Sequence, residues 1–174
     1  MVSAFIDDPV ERWLYPETGQ YLRHFPEFLG AFGGKAFDHQ TVWRLGDFAA
    51  VALWLPPGTK ADGVAISTVL TKTVSAGKHD DLFSVLEQMD FAHPEYPHWY
   101  LPWFGVDAAQ QGNGLGGQLL KACLAVVDAS HLPAYLETPN PRTVSFYERQ
   151  GFEVKGEALA GGCPPVVFML RTSR

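Results

Sequence analysis

The chain has 174 residues, 47% of them apolar, 18% charged and 13% aromatic, with a formal net charge of −6. That length suits one domain over residues 1–174 with a sizeable core, and the composition excludes disorder over most of it. No Lys/Arg run exceeds two residues and no apolar run approaches the roughly 18 residues of a membrane span, so neither nucleic acid nor a bilayer is an expected partner.

The first residues carry no basic leader with a long apolar stretch, so a cytoplasmic protein is the default expectation. "DDPVERWLYP" opens with two acids and Pro9, a helix start. "ETGQYLRHFPEFLGAF" places Tyr21, Leu22, Phe25, Phe28, Leu29 and Phe32 at helical spacing, with Pro26 expected to kink or divide the helix and Gly33-Gly34 to stop it. "TVWRL" and "FAAVALWL" read as a hairpin around Gly46-Asp47, closed by Pro56, Pro57 and Gly58. The pattern from Lys60 to Asp90 is mixed until "DDLFSVLEQMDF", which reads as a helix, and "AHPEYPH" as a loop.

"WYLPWFGV" is a strand in which Pro102 marks an edge or a bulge. "GLGGQLLKACLAVVDAS" is an amphipathic helix with a stripe of Leu115, Leu119, Ala122, Cys123, Val126 and Val127. "PAYLET" is a short strand. "NPRTVSFYERQG" is a helix with Asn140 as N-cap, Pro141 at its first position and Gly151 as its stop. "FEVKG" and "PVVFMLR" are final strands joined by a Gly/Pro-rich loop. The fold class is therefore α/β of the α+β kind: a central mixed sheet with helices on both faces. The two cysteines, Cys123 and Cys163, have no metal-ligand or disulfide spacing, so no metal site is expected; Cys123 belongs to the core and Cys163 to a loop where it can be exposed.

The most informative stretch is "VDAAQQGNGLGGQLL". Gly112, Gly114 and Gly117 match G-x-G-x-x-G, and Glu137 follows 20 residues later, as in a dinucleotide fingerprint. That reading would make the chain a nucleotide-binding oxidoreductase domain. Against it, "DAAQQ" separates the strand from the glycines, and the following elements end in a strand pair with no second mononucleotide-binding half. A better parse is Gln111, Gly112, Asn113, Gly114, Leu115 and Gly116. Consecutive backbone N–H groups there open a helix, and two glycines let a phosphate approach without Cβ interference. Such a cradle needs no basic side chain, which suits an acidic chain. The alternative is a ligand-free glycine turn.

"FGVDAAQQGNGLGGQLL" and "YLETPNPRTVSFYERQGFEV" together resemble two linked motifs of the GNAT superfamily of N-acetyltransferases, most strongly from Trp99 to Val154. The resemblance implies acetyl-CoA as co-substrate, with its pyrophosphate on the Gln111–Gly116 backbone. It implies that Phe104, Gly105 and Val106 splay away from the Tyr135–Thr138 strand to admit the pantetheine arm. It also implies that Asn140 contacts that arm and that Tyr147 stands near the thioester sulfur. The family's members usually begin with a strand before the segment resembling "AFIDDPVERWLYP"; here that strand is expected to be missing or supplied by a neighbour, which favours a homodimer or a truncated reading frame.

Acyl transfer to an amine needs a neutral nucleophile, a polarised thioester carbonyl and a protonated leaving thiol. A strand N–H near Val106 would polarise the carbonyl and Tyr147 would be the general acid, unless Tyr147 is simply a core aromatic. His98 and Glu137 are the candidate bases, with Glu95 and Asp107 behind them; ordered water can also serve. The acceptor, a small-molecule amine or a protein N-terminus, would be held by the N-terminal helices, the Pro56–Asp90 region and "ALAGGCPP", with Trp13, Tyr15, Phe25, Trp54 and Trp99 each a candidate either for a pocket wall or for the core. A non-catalytic acyl-CoA-binding module is the other class of reading.

Overall fold

A computed structural model describes residues 1–173. A 3-10 turn (Val2–Phe5) precedes α1 (Pro9–Leu14), α2 (Thr18–Gly33) and α3 (Lys35–Asp38). The hairpin β1 (Val42–Leu45) and β2 (Ala50–Leu55) follows, then α4 (Gly63–Thr73) and α5 (His79–Ala92). The second half is β3 (Trp99–Val106), α6 (Leu115–Ala129), β4 (Ala134–Thr138), α7 (Pro141–Glu148), β5 (Glu153–Ala158) and β6 (Val166–Arg171).

The strands form one mixed sheet in the order β1-β2-β3-β4-β6-β5. β3 and β4 pair in parallel, and the other neighbours pair antiparallel. This is not the parallel sheet of a dinucleotide-binding half. Among the described residues no strand precedes Val42, so β1 is an edge of the sheet. One face carries α1, α2, α4 and α5 over a core that includes Tyr21, Phe25, Leu70, Leu82 and Trp103. The other face carries α6 and α7 over Trp54, Leu101, Leu120, Leu136 and Met169.

Several local expectations are corrected. Pro26 does not divide α2, which runs 16 residues through it. Its missing N–H orphans the carbonyl of Leu22, but Leu22 and Pro26 lie on the exposed side, where water can satisfy that oxygen. Strand β2 begins at Ala50, because Phe48 takes a left-handed φ of 57° in the turn. The apolar stripe of α6 is Leu119, Leu120, Cys123, Leu124 and Val127, while Ala122 and Val126 face solvent. The mixed segment after Lys60 holds α4, whose Asp62 caps it by accepting from Ala65 N at 2.9 Å. Cys163 is buried, not exposed, and burial pushes its thiol up to about 11.

Candidate active site

The site begins where the sheet opens. β3 and β4 pair only at Trp99↔Ala134 and Tyr100↔Tyr135. Beyond that point β4 bonds to β6 alone and β3 to β2 alone. Between the pairs Leu53↔Trp103 and Leu55↔Tyr100, three steps on β3 face two on β2, so an extra residue bulges at Leu101–Pro102. Pro102 has no N–H to lose there. Further along, Asp107 N donates to the carbonyl of Ala49, just ahead of β2. Alternation along an extended strand then turns the peptide groups of Val106 and Phe104 toward the gap. The Val106 carbonyl is met from that side by Nε2 of Gln111 at 3.2 Å.

At the end of β3 the chain makes a 3-10 turn (Ala108–Gln110) and enters α6 through the glycine loop. Gly112 and Gly114 have φ of 80° and 77°, a left-handed backbone that favours glycine. Nothing stands within 4 Å of where a Cβ would sit on either, so space is left in front of the loop. Gly114 is the N-cap of α6 and offers no side-chain oxygen to the helix start, so its first amides are free to bind an anion. Gly116 serves packing instead: a Cβ there would lie 3.2 Å from Val106 Cγ2.

A cavity of about 700 Å³ runs from this loop into the gap. Its lining includes Gly112, Gly114, Leu115 and Gly116 of the loop, Phe104, Gly105 and Val106 of β3, Asn140 and Tyr147, and the carboxyls of Glu137, Asp8 and Glu11. Asn140 caps α7, accepting from Arg142 N at 3.1 Å. Tyr147 is buried, and burial, aided by the charge of Asp8, raises its phenol above the usual value. Arg142 and Arg149 are cations on the same lining.

A second cavity, about 1170 Å³, opens on the other side of Tyr100 and Glu137, both of which line the two cavities. Its walls include Phe83, Phe91 and Tyr96 with Glu87, Asp90 and Glu95. Of the four residues considered as bases, Glu137 stands at the junction, with a side chain only 4% exposed. His98 and Glu95 line the second cavity. Asp107 is on the surface, accepting from Ser3 Oγ at 2.7 Å and Ala109 N at 3.0 Å, and those bonds hold its carboxyl below the usual range.

Three participants were not legible. His93 brings Nε2 to 3.1 Å from Oε1 of Glu137; it falls in a loop whose only sequence signal was the neighbouring His98. Asp8 and Glu11 read as the acidic start of a helix, and Asp8 does cap α1, accepting from Val10 N at 3.0 Å. Both are nonetheless buried. Desolvation pushes Asp8 up to about 6 and raises Glu11 well above the carboxylate range, and Oε2 of Glu11 has no hydrogen bond. Of the aromatics that could be wall or core, Tyr15, Phe25 and Trp54 are fully buried core residues, and Trp13 and Trp99 pack against the two cores. Phe28, Phe32, Phe104 and Phe146 line the first cavity instead.

The model of the acetyltransferase (GNAT) family matches residues 23–152. An uncharacterized N-acetyltransferase of Schizosaccharomyces pombe is 27% identical over 166 residues, covering 87% of this chain and 67% of that one. A crystal structure from Corynebacterium glutamicum, described as histone acetyltransferase HPA2 and related acetyltransferase, superposes with a TM-score of 0.64 at 24% identity, over 99% of this chain and 87% of that one. Chaetomium thermophilum Naa20 in complex with a bisubstrate analogue gives 0.50 at 15% identity, over 98% and 79%. The six-stranded mixed sheet with its flanking helices thus matches the fold of these acetyltransferase structures. The chain belongs to the GNAT family of acetyltransferases.

Proposed function

We propose that this enzyme moves the acetyl group of acetyl-CoA to an amine, a small molecule or a protein N-terminus, by direct attack on the thioester. The carrying observation is that Glu137, buried beside the parted strands, lines both cavities. The first cavity ends at an anion cradle and suits a phosphorylated, extended donor. The second has acidic and aromatic walls and suits a cationic acceptor. Bound acetyl-CoA supplies the activated acetyl group and a thiol leaving group.

This chain's residues supply the rest. The amides from Gly112 to Gly116 bind the pyrophosphate with the positive end of α6 behind them. Phe104, Gly105 and Val106 hold the arm along the gap, and Asn140 contacts it from the head of α7. An amide of β3 near Val106, turned into the gap, polarises the carbonyl. Glu137 takes a proton from the attacking amine, and Tyr147, kept neutral by burial, gives one to the departing sulfur.

Calorimetric titration tests the donor: acetyl-CoA binds and NADH does not. Binding of NADH with none of acetyl-CoA at millimolar concentration overturns the reading. Acetyl-CoA binding without turnover on any amine would leave an acyl-CoA-binding module instead.

A further inference from the structure

Glu137 does not stand alone in the wall between the cavities. Its Oε1 is buried and has no hydrogen bond of good geometry, yet Nε2 of His93 is 3.1 Å away. The His93 ring lies between two phenols, its centroid 4.5 Å from that of Tyr100 and 4.5 Å from that of Tyr135. On its far side, Nδ1 of His93 is 3.4 Å from Nε2 of His98, and Nδ1 of His98 is 2.8 Å from the Tyr96 carbonyl.

With one hydrogen on each ring, the chain of contacts has one consistent proton assignment. A carbonyl can only accept, so Nδ1 of His98 carries hydrogen. Burial lowers the pKa of His98, so near neutral pH its Nε2 is bare and accepts. The hydrogen of neutral His93 then sits on Nδ1, and its Nε2 lone pair faces Glu137. Two acceptors confront one another across 3.1 Å, and the phenols of Tyr100 and Tyr135 are close enough to Glu137 to donate to its carboxylate as well. A proton arriving there joins them. Tyr100 on β3 and Tyr135 on β4 also face this ring, both raised by burial first and by Glu137 second, so they stay neutral. Lys60 and the acids Asp90 and Glu95 stand farther out on the second cavity.

We propose that Glu137 and His93 together are the proton acceptor of the reaction, and that His98, through the Tyr96 carbonyl, is a positioning residue that fixes the His93 tautomer. This rests on the acetyl-transfer reading above. An N–H bond of the acceptor's ammonium breaks, an O–H bond forms at Glu137, and the proton passes to Nε2 of His93. The resulting imidazolium, with a quarter of its side chain exposed on the second cavity, sheds the proton to water. The nitrogen's other lost proton balances the one gained by the thiol. One proton thus leaves per acetyl group transferred.

Two measurements test this. Nitrogen-15 NMR of the free wild-type protein at pH 7.5 reads the ring tautomers: hydrogen on Nδ1 is expected in both His93 and His98. Hydrogen on Nε2 of His93 overturns the proposal, with or without catalysis. Kinetically, His93→Gln is expected to lower kcat by about 10- to 100-fold with KM for acetyl-CoA within about twofold. The deficit shrinks as pH rises toward that of the free amine, because the acceptor then arrives deprotonated. His98→Ala shows the same trend more weakly. A His93→Gln enzyme with wild-type kcat and pH profile contradicts the proposal. A wild-type enzyme that acetylates no amine contradicts the acetyl-transfer reading instead, and the tautomers still decide the His93 arrangement.

Discussion

Tyr100 and Tyr135 are the last residues joined across β3 and β4, and their rings lie 5.9 Å apart. Two residues beyond Tyr135, Glu137 enters the space that the parting strands leave. The closed end of the gap is thus built of two neutral phenols, and the carboxylate stands beside them. Glu137→Gln keeps the shape and removes the charge. The expected outcome is a fall in kcat of roughly 100-fold or more with acetyl-CoA affinity nearly unchanged. Calorimetry beside steady-state kinetics checks it; an equal loss of both would assign Glu137 to donor binding.

Tyr147→Phe removes one hydroxyl from a buried ring that packs against Phe104, Phe146 and Phe152. The ring contacts survive, so folding is expected to hold. If the phenol protonates the leaving sulfur, kcat drops about 10- to 100-fold while acetyl-CoA binding weakens far less. An unchanged kcat would return Tyr147 to a packing role.

Gly114→Ala separates backbone conformation from crowding. No atom lies within 4 Å of the added methyl, but φ is 77°. The left-handed region costs a non-glycine residue about 1–2 kcal/mol. The variant is expected to lose about that much stability in urea and to bind acetyl-CoA more weakly, because the strained residue caps the helix whose amides form the cradle. Full affinity would mean that this loop is not the phosphate site.

Asp8 makes a prediction about pH. Its folded-state pKa is raised from the ordinary 3.8 to about 6. The folded state therefore holds the proton more tightly than the unfolded chain. The contribution of this group is most favourable below pH 3.8 and is lost as pH rises toward 6, a change of up to about 3 kcal/mol. Asparagine keeps the N-cap and cannot ionise. Asp8→Asn is expected to be more stable than wild type at pH 7–8 by about 1–3 kcal/mol, with the difference shrinking below pH 5. Denaturant curves across pH 4–8 measure it; a pH-independent difference contradicts the shift.

Much of the fold and the backbone of the glycine loop could be read from residue order, because they rest on local rules. Glycines at a helix start, Pro102 in a strand and Asn140-Pro141 ahead of a helix each leave a mark in a few consecutive residues. The buried titratable groups of the two cavities leave none. Asp8 and Glu11 obey the rules of a helix N-terminus, and their burial follows only from packing α1 over the gap. His93 owes its position to α5 ending where β3 begins, a tertiary relationship with no spacing rule. The choice between core and pocket wall for Trp54 and Phe25 stayed open for the same reason: hydrophobic bulk tells that a residue is inside, not which side of the sheet it fills.

Amine-dependent release of CoA thiol from acetyl-CoA is the most direct test of the central claim. The measurement is the rate of thiol appearance with wild-type enzyme across a panel of small amines and short peptides with free N-termini. The expected result is saturable release with at least one acceptor, abolished or strongly reduced in Glu137→Gln. Tight binding of acetyl-CoA with no amine-dependent thiol release across the panel would contradict it.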